Sequence, residues 1–542
     1  MAPDRPVTGE ADAGGGGGPW WRTGVLYQVY PRSFADADGD GVGDLVGIIG
    51  HLDHLEWLGV DGLWLGPVNP SPHADWGYDV SDYLGVDPEL GTADDLDRLI
   101  AEAGRRGIRV LLDLVPSHTS ERHPWFVESR SSRSSPRRNW YVWADPGPGG
   151  SLPNNWVSSF GGPAWTLDQD SGQYYLHNHL VEQPDLNWWE EEVREAFDGI
   201  ISHWLDRGVA GFRVDVATGM VKDALLRDNP PSRDTDPLDV QLFGQRPVYN
   251  SDRPEGHEVL RRWRALADRY PDRVLLGETP VPTAEALAGY YGDGGDELHL
   301  AFNFPFLSAP LEADALRTVV EATEEALPVG AWPVWTGSNH DLGRLATRWA
   351  EGHPERARVA LVVLLGLRGT PVLYQGDELG QCDTDVPHEQ MRDPLGVAYW
   401  PAYAGRDGAR TPMPWRPGPG GGFTRPGVEP WLPFGDNDVV NVEAQRHDPG
   451  SILHLVRDLI ALRRAEPDLA AGDYRRRATD EGSWAWDRGR RVTVLAALSE
   501  HGASLAGVTG TVAVATDPGR RGEPVDGTLR VGGWEAVVVT AG

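Results

Sequence analysis

Eight short apolar runs, separated by amphipathic stretches, follow one another from Trp20 onward. They are Val25 to Tyr30, Gly62 to Leu65, Ile108 to Val115, Val209 to Asp215, Val274 to Glu278, Leu298 to Asn303, Trp332 to Thr336 and Thr370 to Tyr374. Between them, Leu45, Ile48, Ile49, Leu52, Leu55 and Leu58 follow helical spacing, as do Val193, Phe197, Ile200, Ile201, Trp204 and Leu205. Such alternation builds a parallel sheet covered by helices, and eight repeats are enough to close it into a (β/α)₈ TIM barrel, an α/β fold. Four carboxylates stand at the ends of the runs: Asp113, Asp215, Glu278 and Asp341. Residues just past the strands' C-terminal ends share one mouth, where such barrels keep their active sites. Converging acids are costly unless their charge is used, so the pattern points to carboxylate chemistry, with glycoside cleavage the first candidate.

Two excursions interrupt the alternation. Residues 117–187 are rich in Trp, Ser, Pro, Asn and Gly, far longer than an ordinary connection. Trp125, Trp140, Trp143, Trp156 and Trp165 argue against a disordered insert, so this segment is expected to be a small irregular domain overhanging the mouth. A second excursion, rich in proline and glycine, spans about Gln381 to Asn441 and should also reach the mouth. After a helix over Ile452 to Leu462 come Val/Thr-rich stretches, Val492 to Leu498, Thr511 to Ala515 and Ala536 to Thr540. They predict a terminal antiparallel β-domain. The expected division is a flexible tail over 1–19, the barrel over 20–116 and 188–465, the insert over 117–187 and the β-domain over 466–542.

Composition narrows the partners. A formal charge of −32 disfavours nucleic acid and anionic membrane, and permits a neutral sugar. No apolar stretch is long enough to span a bilayer. The amino terminus, Met1 to Gly18, is polar and lacks the basic start and apolar core of a secretion signal. Cys382 is the only cysteine, so no internal disulfide can form. A cytoplasmic location is therefore expected.

A retaining glycosidase needs an ionised nucleophile and a protonated carboxyl, about 5 Å apart. Arg213 lies two residues before Asp215, on the same strand face, and is expected to hold the Asp215 carboxyl down. Glu278 has no basic neighbour in its own strand, so a like-charged, partly desolvated site is expected to raise it, as a general acid requires. The plainer alternative for Arg213 and Asp215 is a buried ion pair bracing the barrel.

Taken together, Asp113-Leu-Val-Pro-Ser-His118, Gly211-Phe-Arg-Val-Asp215, Gly277-Glu278 and Asn339-His340-Asp341 resemble the ordered motifs of glycoside hydrolase family thirteen, the α-amylase family. Gln183-Pro-Asp-Leu-Asn187, Thr370-Pro-Val-Leu-Tyr-Gln-Gly376 and Arg410-Thr-Pro-Met-Pro-Trp415 are similar to its α-glucosidase and oligo-1,6-glucosidase branch. The resemblance implies Asp215 as nucleophile, Glu278 as acid/base and Asp341 as a third acid that holds the sugar's 2- and 3-hydroxyls. It implies His118 and His340 as donors to glucose hydroxyls, and Asp75 and Tyr78 as a distal-hydroxyl binder and a stacking ring. Arg410 would complete a pocket closed at one glucose, and Phe160 and Gln183 would line it. Asp113 is expected to be a brace rather than a reacting group. Val216, after the nucleophile, accompanies α-1,6 activity in this branch, whereas the segment from Arg392 to Trp400 with Gly405-Arg-Asp-Gly408 is closer to enzymes of short α-1,4 substrates that also transfer glucose. Two positions depart from the family: Ser117 replaces asparagine and Pro414 replaces glutamine.

Asp36, Asp38, Asp40 and Asp44, with Gly41 at the turn and the Val42 carbonyl available, resemble the first nine residues of an EF-hand loop. Position twelve is Gly47 and a strand precedes it, so it is not an EF-hand. The α-glucosidase branch holds a structural Ca²⁺ on this loop, and the resemblance implies one here, with no organic cofactor. The implied activity is exo-cleavage of terminal α-linked glucose from short oligosaccharides by double displacement, with transglucosylation. The alternatives are a transglucosylase or isomerase of the trehalose synthase or sucrose isomerase type, and a non-catalytic transporter-accessory relative. The last lacks the reacting carboxylates and carries an anchor.

Overall fold

The computed structural model describes residues 18–236 and 238–542. The tail expected before Gly18 lies outside the described residues. Eight parallel strands are present: β1 (Leu26–Val29), β2 (Gly62–Leu65), β3 (Arg109–Leu114), β4 (Gly211–Val214), β5 (Val274–Gly277), β6 (Leu300–Ala301), β7 (Val334–Thr336) and β8 (Thr370–Tyr374). Each pairs with the next, β8 pairs with β1, and a parallel bridge between Phe302 and Val334 joins β6 to β7. The sheet thus closes on itself in chain order.

Period-two alternation decides which side chains fill the barrel. Trp64 packs inside with Leu26, Leu111, Leu276 and Val372, while its neighbours Leu63 and Leu65 join the larger core under the helices. The run expected as one helix over 45–58 is two, Leu45–Gly50 and Leu52–Leu58. Gly50 is a poor helix former and His51 leaves helical geometry at φ −113°, ψ 9°. The helix Glu191–Asp206 buries all six of its expected apolar positions. Among the described residues no helix is long and apolar enough to cross a membrane.

Residues 117–187 contain the helix Pro124–Arg130 and a three-stranded antiparallel sheet of Trp143–Ala144, Gln173–Leu176 and Trp165–Asp168. Trp140, Trp156 and Trp165 are buried in it. The carboxyl-terminal sheet has six strands, in the order Tyr474–Arg477, Ser483–Arg488, Val492–Ala497, Ala536–Thr540, Ala503–Ala515 and Pro524–Val531. Sequence reading found three of them. Tyr474–Arg477 is an edge strand of mostly exposed arginines, and the alternation in Pro524–Val531 is diluted by Asp526, Gly527 and Thr528.

Candidate active site

Asp215 and Glu278 each stand one residue beyond the end of their strand, β4 and β5. Asp113 lies inside β3 rather than past it, and Asp341 follows β7 through the turn Gly337 to His340. Strand register sets Asp113 directly beside Arg213. Arg213 is buried, and its guanidinium serves three carboxylates at once. Nη1 lies 2.7 Å from both Asp113 Oδ1 and Asp215 Oδ1, and Nη2 lies 2.9 Å from Glu278 Oε2. Glu278 Oε2 also accepts the Val216 N–H at 2.8 Å.

This sharing corrects two expectations. Glu278 does have a basic neighbour, supplied from the adjacent strand, which a scan of its own strand cannot find. Arg213 does pull Asp215 down as expected, but burial outweighs it. Burial pushes the Asp215 carboxyl well up, Arg213 opposes this, and Glu278, Asp113 and Asp341 add to the rise. Burial likewise pushes Asp113 up to about 6 against the pull of Arg213. One guanidinium among three acids is too little positive charge to keep all of them at ordinary values.

Asp113 is also held by Trp64 Nε1 at 3.2 Å and by the Tyr78 hydroxyl at 3.0 Å. Tyr78 stacks on His340, with ring centroids 5.4 Å apart, and its hydroxyl is 2.5 Å from His340 Nε2. Gln28 Nε2 donates to His340 Nδ1 at 2.7 Å, which fixes the ring proton on Nε2, 3.1 Å from Asp341 Oδ2. Burial lowers His340 to about 3, so it is neutral at pH 7. Burial alone would raise Asp341. Contact with His340, Arg406 and Arg410 overcomes it and holds the carboxyl well below the usual range. Because His340 is neutral, the two arginines are the cations that do this.

The distal end of the pocket differs from expectation in one residue. Arg410 Nη2 donates to Asp341 Oδ1 at 2.8 Å and its Nε to the His340 carbonyl at 2.9 Å, but it makes no hydrogen bond to Asp75. Arg406 does. It reaches Asp75 Oδ1 at 2.8 Å, Asp341 Oδ1 at 3.1 Å and Asp393 Oδ1 at 2.7 Å, and lies 5.4 Å over the Phe160 ring. Nothing in the sequence of Gly405-Arg-Asp-Gly408 marks its arginine for this role. Arg406 stands 13, 65 and 331 residues from Asp393, Asp341 and Asp75, spacings that carry no periodic signal, so only the folded chain brings them together. Asp75 is buried and raised by that burial, with Arg406 and Arg410 opposing.

From the insert, Gln183 donates to Asp75 Oδ2 at 3.3 Å. His118 Nε2 is 3.0 Å from the Tyr78 carbonyl, and its Nδ1 is 2.7 Å from Ser117 Oγ. The serine that departs from the family pattern therefore still supports the histidine. Burial lowers His118 to about 3. The Tyr399 hydroxyl donates to the Phe160 carbonyl at 2.8 Å, tying the second excursion to the insert. Val216 adopts φ +39°, a left-handed conformation that costs a β-branched residue energy.

At the loop after β1, Asp36, Asp38 and Asp40 bring carboxylate oxygens within 4.8 Å of one another. Asp44 is not part of that group. Its oxygens accept from the N–H groups of Gly47 at 2.7 Å and Ala37 at 2.8 Å, capping the helix Leu45–Gly50. An acidic residue just before a helix was a capping signal that the loop resemblance obscured. Val42 is half-buried beside the cluster.

Comparison with known proteins agrees with this geometry. Residues 28–472 match the family described as "Alpha amylase, catalytic domain". A probable alpha-glucosidase of Rhizobium meliloti (strain 1021) is 46% identical over 466 residues, covering 84% of this chain and 84% of that one. The crystal structure of the alpha-glucosyl transfer enzyme XgtA superposes with a TM-score of 0.91 at 42% identity, over 97% of this chain and 100% of the other. Trehalulose synthase MutB from Pseudomonas mesoacidophila MX-45 gives 0.87 at 30% identity, over 97% and 100%. The chain belongs to the alpha-amylase catalytic-domain family, glycoside hydrolase family thirteen.

Proposed function

We propose that this chain is a retaining, exo-acting α-glucosidase that releases terminal α-linked glucose from short oligosaccharides and also transfers it. The observation that carries the reading is Arg213, whose one guanidinium gathers Asp215 and Glu278 at the strand ends. Asp215 attacks the anomeric carbon while Glu278 protonates the departing oxygen, and Glu278 then takes a proton from water or from an acceptor hydroxyl. Asp341, kept ionised by Arg406 and Arg410, holds the 2- and 3-hydroxyls and favours the distorted ring. His118 and His340 are neutral donors to the same glucose. Tyr78 supplies a stacking face, and Phe160 and Gln183 line the wall. Asp75, with Arg406 in the place expected of Arg410, closes the distal end at one glucose, and Val216 shapes the opposite side. The insert 117–187 serves as the lid of this pocket. The probable alpha-glucosidase relative supports hydrolysis, and the glucosyl transfer enzyme supports transfer. p-Nitrophenyl α-glucoside, whose leaving group is not a sugar, tests the reading when followed by proton NMR: α-glucose forms first, and β-glucose follows only by mutarotation. Initial β-glucose would overturn it.

For the loop after β1 we propose a structural Ca²⁺ held by Asp36, Asp38, Asp40 and the Val42 carbonyl, with Asp44 left as helix cap. Hard oxygen donors suit that ion. Burial and the neighbouring Asp40 and Asp36 push Asp38 up, a repulsion a divalent cation relieves. An ion bound only by the folded state adds about 2.7 kcal/mol at a hundred times its dissociation constant. Thermal midpoints measured in EDTA and in Ca²⁺ should therefore differ by about 2 °C for a chain of this size, and Asp38→Ala should erase the difference. An equal response in Asp38→Ala would place the ion elsewhere.

A further inference from the structure

Where His118 meets the insert, a second histidine and an acid close on it, and turnover gives neither a use. His118 stands past the end of β3, while His179 and Asp185 come from the insert. An isolated antiparallel bridge pairs His118 with Asp185. The His179 ring lies 4.7 Å from that of His118 and 6.1 Å from that of Phe160, centroid to centroid. Its main chain is pinned, because the His179 carbonyl accepts from Ser158 Oγ at 2.7 Å and from His177 Nδ1 at 3.0 Å. The three side chains bring one ligand-capable atom each within 4.8 Å of one another.

Two atoms of this cluster are unclaimed. Asp185 is fully buried. Its Oδ2 accepts the Asn178 N–H at 3.0 Å and lies 3.5 Å from Lys222 Nζ. Its Oδ1 is buried with no hydrogen-bond partner among the described residues, and so is His179 Nδ1. Buried polar atoms are costly to leave bare, so each calls for a partner. His118 supplies the third donor. Its Nε2 meets the Tyr78 carbonyl at 3.0 Å and Gln183 Nε2 at 3.1 Å. Moving the ring proton to Nδ1, 2.7 Å from Ser117 Oγ, frees the Nε2 lone pair once the Gln183 amide turns aside. Two imidazoles and one carboxylate suit a cation such as Zn²⁺, whereas Ca²⁺ takes oxygen ligands. A single carboxylate with Lys222 beside it under-compensates the ion's charge, which makes the ion exchangeable rather than built in.

We propose that His118, His179 and Asp185 bind Zn²⁺ or a similar divalent cation reversibly, and that the ion inhibits by taking the His118 nitrogen that the terminal glucose needs. The inference rests on His118 facing that glucose, as in the reading above. Ion and sugar then exclude one another, so KM rises while kcat holds.

The test uses the full chain, stripped with EDTA and dialysed, with p-nitrophenyl α-glucoside as substrate. Zn²⁺ should raise KM and leave kcat unchanged, while Mg²⁺, which prefers oxygen ligands, should do neither. Co²⁺ in place of Zn²⁺ reads binding without turnover, through its visible absorption. His179→Gln should lose that spectrum and raise the half-inhibiting Zn²⁺ concentration by about 100-fold or more, since losing even an outer partner of a metal ligand costs about 10- to 100-fold. With no role in turnover assigned to His179, the metal-free rate of the variant should stay at the parent's value. Asp38→Ala, in the loop after β1, should keep both metal responses. Zn²⁺ that lowers kcat alone in the parent, or inhibits His179→Gln equally, would overturn the site, as would a response lost in Asp38→Ala. A cobalt spectrum that depends on His179 with no change in KM would overturn the inhibition and the glucose contact of His118, not the metal site. Failure to release nitrophenol at all would overturn the glucosidase reading, with the spectrum still deciding the site.

Discussion

Asp215→Ala should lose about 10⁴-fold or more in turnover of an activated α-glucoside, on the scale seen when an enzymatic nucleophile is removed, and azide should restore part of it as β-glucosyl azide. The small anion enters the space of the missing carboxylate and attacks the anomeric carbon from the same face, so the product is inverted. Glu278→Ala should behave differently. Its loss is about 10²- to 10⁴-fold, the usual contribution of a general acid, and is smallest for leaving groups that need no proton. Azide there captures the glucosyl-enzyme from the acceptor side and gives α-glucosyl azide. The two anomers, read by NMR, separate the roles without relying on rate alone. Asp341→Ala, which removes neither reacting group, should show no rescue. An α-azide product from Asp215→Ala would reverse the assignment, and rescue of Asp341→Ala would move the nucleophile to that residue. Folding of each variant can be checked by its urea midpoint. The Asp215 change should not lower it greatly, because it leaves Arg213 with Asp113 and Glu278 still in place.

The barrel was legible because period-two burial writes itself into residues such as Leu63, Trp64 and Leu65, where inside and outside faces are both apolar but bounded by turns. The reacting acids were legible because each follows such a run closely in sequence. What could not be read was any relation between strands. Arg213 looked like the partner of Asp215 alone, since spacing within a strand shows only its own face. Its contacts with Asp113 and Glu278 depend on register, which is set by pairing. The same reason hid the direction of the Asp215 shift, which follows from burial among other acids rather than from its nearest arginine. Asp44 was read as a ligand because its spacing fits a cation loop equally well as it fits a helix cap. The two uses differ only in where its oxygens point.

Arg406→Ala should be the most damaging single change at the distal end, lowering stability by about 3–5 kcal/mol, the usual consequence of leaving buried charges unpaired. Its side chain is 10% exposed and faces three carboxylates, of which Asp393 and Asp75 are almost fully buried. Arg410 remains on Asp341 in the variant, so the uncompensated charge falls on Asp75 and Asp393. Lysine cannot replace it, because one ammonium does not reproduce a planar fork that reaches three partners. Urea unfolding should therefore place Arg406→Lys nearer to the alanine variant than to the parent. Asp75→Asn removes one of the stranded charges, so the double variant should be more stable than the sum of the two single losses, with a coupling of about 1–3 kcal/mol. Arg410→Ala in the same cycle should not couple to Asp75→Asn to that extent, since Arg410 contacts Asp341 and the His340 carbonyl instead. Strong coupling of Asp75 to Arg410 and none to Arg406 would return the distal pair to the one expected from the sequence. Kinetics add a second axis. If the Asp75–Arg406 pair fixes the terminal glucose, the loss in Arg406→Ala falls on kcat/KM for every α-glucoside, whatever its leaving group, because each presents the same sugar to that end of the pocket.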